Sequence, residues 1–72
     1  MKAFSLVGVD GNAYSIMGYT SRAMERANFP KEEIDKMYNE ATSGNYYNLI
    51  AVCDGYITKV NEALGLDEDE DE

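Results

Sequence analysis

The chain has 72 residues, one cysteine, no histidine and a formal net charge of −8. That length allows one domain, which buries only about 60% of the surface its unfolded form exposes. The lone Cys53 closes no intramolecular disulfide, the lack of histidine excludes a Cys/His zinc site, and the acidic balance excludes a basic nucleic-acid footprint.

The charge is unevenly spread. Residues 67–72 read Asp-Glu-Asp-Glu-Asp-Glu and carry −6, which leaves −2 on the first 66. The expectation is a single small domain over 1–66 followed by a disordered, solvated acidic tail over 67–72. The longest unbroken apolar run, residues 49–53, is far short of the ~20 residues a membrane helix needs. A single free cysteine fits a reducing, cytoplasmic setting.

Residues 3–9 read as a strand. Phe4, Leu6 and Gly8 alternate with Ser5, Val7 and Val9, and apolar side chains fall on both faces, as in a strand covered on both sides. Asp10-Gly11 is a hairpin signal, with 12–17 as the return strand. The competing reading makes Asn12 the N-cap of a helix. Ala13, Ile16, Met17, Thr20, Ala23, Met24 and Ala27 then share one face. That face outlasts any return strand, so strand-then-helix is preferred. Gly18 inside this helix costs about 1 kcal/mol relative to Ala and points to a close helix contact.

Asn28-Phe29-Pro30 breaks the pattern. Pro30 suits a helix start, and Ile34, Met37, Tyr38 and Ala41 follow at helical spacing. Phe29 and Ile34 are placed as a hydrophobic staple, and Glu32, Glu33 and Asp35 lie where the helix dipole favours negative charge. Gly44 reads as the C′ residue that ends this helix near Ser43. A third helix follows, capped by Asn45, starting at Tyr46 or Tyr47, running to Leu64 and stopped by Gly65. Its apolar face carries Leu49, Val52, Cys53, Tyr56, Ile57, Val60 and Leu64, with Lys59 and Asn61 off that face.

The expected fold class is therefore α+β, one N-terminal strand followed by three helices. The alternative is an N-terminal hairpin plus two helices. A lone apolar strand leaves both edges unpaired, so it is expected to pair with a second copy across the two-fold axis of a homodimer.

Gly8, Asp10, Gly11 and Asn12 are the candidate ligand-binding residues. Free N–H groups before a helix attract anions, including nucleotide phosphates. Their spacing matches neither the dinucleotide fingerprint nor the P-loop, and Asp10 repels an anion. The competing account is a tight turn whose glycines supply positive φ and whose Asn caps the helix. A calcium loop counted from Asp10 fails, because position 12 is Ser21 instead of Glu. Six tyrosines are many for this length. Tyr38 and Tyr56 fall on core faces. Tyr46 and Tyr47, with Phe4, Leu6 and Val7 of the strand, form the candidate partner interface. Cys53 lies on an apolar face with nothing to activate it. No catalytic dyad, metal site or cofactor motif stands out. The expected function is non-enzymatic binding or regulation through protein–protein interaction. The alternatives are a small anion or nucleotide binder using residues 8–12, and an acidic decoy of a nucleic-acid-binding protein.

The segment Gly8-Val-Asp-Gly-Asn-Ala-Tyr14, then Met17-Gly18, Lys31-Glu-Glu-Ile-Asp35 and Thr42-Ser-Gly-Asn-Tyr46, resembles a group of short bacterial and phage-encoded proteins. The likeness covers residues 3 to about 64. No activity is established for that group, so the resemblance implies a small cytoplasmic protein and transfers no site residue.

Overall fold

The structure is a computed structural model that describes residues 2–66. The acidic segment 67–72, expected to be disordered, lies outside the described residues. Three helices follow one another: α1 (Ala13–Arg26), α2 (Lys31–Ala41) and α3 (Tyr46–Leu64). No strand forms among the described residues, so the α+β expectation is corrected to an all-helical domain. Both the N-terminal strand and the alternative hairpin are overturned, the latter because Ala13 already begins α1.

The helices form where caps and apolar faces agree. The Asn12 side chain accepts from the Tyr14 N–H at 2.8 Å and opens α1. Ile16, Met17, Thr20, Ala23 and Met24 then point inward. The buried Thr20 hydroxyl donates back to the Ile16 carbonyl at 2.9 Å. At the far end Asn28 takes a left-handed φ of 64°. Its N–H reaches Glu25 O, and that of Phe29 reaches Met24 O, each at 3.0 Å. Those two bonds are the Schellman closure, with Asn in the place usually held by Gly. Pro30 then starts α2, flanked by the half-buried staple residues Phe29 and Ile34.

The corner between α2 and α3 differs from the expected glycine stop. Helix α2 ends at Ala41, and Gly44 has no positive φ. Gly44 relieves crowding instead: a Cβ there would lie 3.0 Å from both Cβ and Cγ of Asn48, which would have to shift by a few tenths of an ångström. Asn48 is the joint of this corner. Its backbone N–H donates to the Asn45 side chain at 2.9 Å, while its own amide donates to the Glu40 carbonyl at 2.9 Å. One residue thus completes the cap of α3 and satisfies an end carbonyl of α2. Gly65 ends α3 at φ 72°, with the Leu66 N–H closing on Asn61 O at 2.7 Å.

Helix α3 packs against both α1 and α2. One core joins Met24, Met37, Cys53, Ile57 and Val60, all fully buried. Gly18 does not mark a close helix approach: a Cβ there would meet only the Arg22 guanidinium, at 3.6 Å.

The N-terminal segment is a strap laid over α1 and α3. It fails to become a strand because its backbone is satisfied by side chains. Asn61, only 3% exposed and hence inside the face it was expected to lie off, accepts from the Phe4 N–H at 2.8 Å and donates to the Phe4 carbonyl at 2.9 Å. The Ser5 N–H donates to the Tyr19 hydroxyl at 2.9 Å. Phe4 also meets the Tyr19 ring edge-on at 6.1 Å. At Leu6 the chain reverses. The Val9 N–H bonds Leu6 O at 3.1 Å, and Gly8 sits at φ 86°, a position that type II turns reserve for glycine. The edge that was to find a second copy is thus occupied within the chain, and the strand-paired homodimer falls with the strand.

Candidate functional site

The candidate ligand residues and the candidate interface residues divide between two places. Phe4 and Leu6 are half-buried against the protein's own core. Val7 is 89% exposed at the turn tip, beside Gly8. Asp10, Gly11 and Asn12 lead into α1, where they come together with Tyr46: its hydroxyl donates to the Gly11 carbonyl. Tyr47 packs edge-on against Tyr46 at 6.4 Å.

This junction closes one end of a surface groove of about 360 Å³ between the start of α1 and the α2–α3 corner. Met17, Ala41 and Leu49 supply an apolar floor, and Tyr14, Asn45 and Tyr46 supply walls. Among the described residues, no charged side chain lines it. Tyr14, 82% exposed, sets a large amphipathic ring beside the apolar floor, and Tyr47, 80% exposed, lies outside the groove lining against Tyr46. Tyr14 was missed in the sequence because it falls off the apolar face of α1. An aromatic residue beside a helix cap, on the same side as a second aromatic cap, is the signal that could have found it.

The electrostatics at the start of α1 are internal. The Asp10 carboxylate accepts from the Asn12 N–H and from the Ser15 hydroxyl, both at 3.4 Å. The Tyr14 N–H is taken by Asn12. Negative charge and a side-chain cap therefore stand where an anion would approach.

A second groove, of about 250 Å³, lies between α2 and α3. Lys36 and Lys59 flank it, with Ala51 and Gly55 on one side. The Lys59 ammonium sits 5.0 Å over the Tyr56 ring. The Tyr56 hydroxyl donates to Glu40 at 3.0 Å. Burial first, then the bond to Glu40 and the nearby Glu40 and Glu33 charges, push its pKa up to about 12. Tyr56 is thus a structural proton donor to a carboxylate.

Cys53 is fully buried. Burial pushes its thiol up, and the neighbouring Thr20 hydroxyl offsets this only in part. It is a poor nucleophile. No group of three metal-ligating side chains occurs among the described residues. No helix among them is long and apolar enough to cross a membrane. No protein-family profile, curated protein or solved structure matches this chain.

Proposed function

We propose that this protein is a small, non-enzymatic binding module of the cytoplasm that takes an apolar segment of a basic protein partner in the tyrosine-rimmed groove. The observation that carries this reading is the exposure of Tyr14 and Tyr46 around a floor of Met17, Ala41 and Leu49, with the exposed Tyr47 ring packed against Tyr46. Tyrosine brings large contact area and a polar tip at low entropic cost, and it is enriched at protein interfaces. The groove, whose described lining carries no charge, accepts apolar anchors. The net charge of −8, of which −6 lies on residues 67–72, favours a basic partner over a second copy of the chain. An anion at residues 8–12 is less well supported, because the Asp10 carboxylate occupies that mouth.

The test is a selection of displayed peptides on the full chain, followed by affinity measurement with the recovered sequences. Recovered peptides should carry an apolar anchor beside Lys or Arg and should bind more weakly as salt rises. Tyr14→Ala and Tyr47→Ala should each weaken Kd about tenfold. The unfolding temperature should hold, since both rings are exposed. Binders indifferent to both substitutions would sink the reading. So would a dimer in light scattering that Tyr47→Ala dissociates, which would put a second copy in the groove.

A further inference from the structure

The chain contains two Asp-Gly pairs, Asp10-Gly11 and Asp54-Gly55, in opposite backbone settings. We propose that Asp10-Gly11 is a site of spontaneous isoaspartate formation and that Asp54-Gly55 is shielded from the same reaction by its helix. In this reaction the Gly11 nitrogen attacks Cγ of the protonated Asp10 carboxyl. A new N–Cγ bond forms, the nitrogen's proton passes to solvent, and a carboxyl oxygen leaves as water. The product is a five-membered succinimide. Water then adds at the Asp10 main-chain carbonyl and breaks its bond to nitrogen. The chain now runs through Cγ, with a free carboxylate on Cα. The water lost is regained, nothing is oxidised or reduced, and the mass is unchanged.

Three features of residues 10 and 11 favour the step. Glycine leaves the attacking nitrogen unobstructed. Asp10 and Gly11 are both exposed and precede α1, so no helix fixes their dihedrals. Their local bonds are weak: the Asp10 carboxylate is held only by two contacts at 3.4 Å, and the Gly11 N–H donates to no acceptor among the described residues. Gly55 is the reverse case. It lies in the interior of the 19-residue helix α3, where its N–H is committed to the carbonyl one turn back and helical dihedrals hold it away from Cγ. The product would add a methylene to the main chain just before the α1 cap. It would shift the Gly11 carbonyl that Tyr46 holds and move the negative charge onto the backbone. The inference stands on backbone geometry and is independent of what the groove binds.

The test is ageing of the full chain at neutral pH and physiological temperature, with peptide mapping by electron-transfer fragmentation and labelling by an isoaspartyl methyltransferase. Isoaspartate should accumulate at position 10 and stay at background at position 54. In denaturant both positions should react. Gly11→Ala, whose Cβ would meet only the Tyr46 hydroxyl at an ordinary 3.6 Å, should keep the circular dichroism spectrum and slow the reaction at Asp10 severalfold. Equal accumulation at both positions in the folded chain would overturn the proposal. So would an unreactive Asp10 in the folded chain, whatever the denatured chain does.

Discussion

Asn61 is the residue on which the N-terminal strap depends. Its carboxamide is 3% exposed and serves both backbone groups of Phe4, at 2.8 and 2.9 Å. Asn61→Ala removes two hydrogen bonds, each worth about 1 kcal/mol net. If the strap stayed in place, the orphaned N–H and C=O would cost about 1–3 kcal/mol apiece. If it lifted off, Phe4, Leu6 and Val9 would lose part of their burial, roughly 1 kcal/mol each, set against the freedom regained by the released residues. Staying in place costs about 2–6 kcal/mol and lifting off about 2–4, so the cheaper route caps the loss at about 2–4 kcal/mol. For a domain of this size that is a fall in Tm of roughly 10–25 °C.

Urea and thermal unfolding followed by circular dichroism read the loss, and amide exchange at Phe4 and Ser5 reports the strap itself. Asn61→Asp adds a signature in pH. Its ionised carboxylate still accepts from the Phe4 N–H, but its second oxygen faces the Phe4 carbonyl, so burial and lone-pair repulsion raise its folded pKa above the unfolded value of about 3.9. A raised folded pKa gives stability that is fully present below the unfolded value and lost as pH rises through the folded one. Relative to wild type, this variant should therefore recover on acidification. The reasoning is refuted if Asn61→Ala unfolds within about 0.5 kcal/mol of wild type with the Phe4 amide no less protected.

Gly18→Ala and Gly55→Ala should each stabilise by up to about 1 kcal/mol, because both lie inside helices and neither Cβ meets a backbone or core atom; a loss in denaturant titration would mean an unrecognised close contact. Gly8→Ala should cost about 1 kcal/mol through its φ of 86°, whereas Val7→Ser, at 89% exposure, should be neutral; equal effects would remove the type II turn from the explanation. Tyr56→Phe should cost about 1–2 kcal/mol at neutral pH by leaving Glu40 without its partner. Because Tyr56 is raised from an unfolded value near 10 to about 12, its contribution is complete below pH 10 and is lost between about pH 10 and 12; urea titrations across that window should show wild type converging on the variant.

The helices were legible because their signals are local. Asn12, Asn45 and Gly65 mark helix ends through bonds that span a few residues, and the inward faces of α1 and α2 follow from spacing alone. Helix α2 ends two residues early because the Thr42 and Ser43 hydroxyls take the Tyr38 and Glu40 carbonyls, and Asn48, on the next helix, adds a long-range donor to Glu40 that no local window carries. The candidate site shows the same division. Tyr46 and Gly11 each stood out, but their contact joins residues 35 apart, and the groove is lined by residues of α1, the end of α2 and the start of α3 that no local window brings together.

The strand expectation failed for a more instructive reason. Alternation reports the inward side chains only up to the turn: Phe4 and Leu6 face the core and Val7 points out, while Val9, in the register of Val7, packs inward past the turn. Alternation says nothing about what meets the backbone. Every buried N–H and C=O must find a partner, and a sheet is only one source. Here the partner is a carboxamide 57 residues away and a tyrosine hydroxyl on α1. Asn61 is expected off the apolar face of α3, yet it continues the row of Cys53 and Ile57 at steps of four, both fully buried. A carboxamide at the end of a buried row needs a donor and an acceptor, and an apolar strand with no sister strand needs the same two in reverse. Each polar anomaly is the solution of the other, and pairing them gives an all-helical domain with a backbone strap without invoking a second chain.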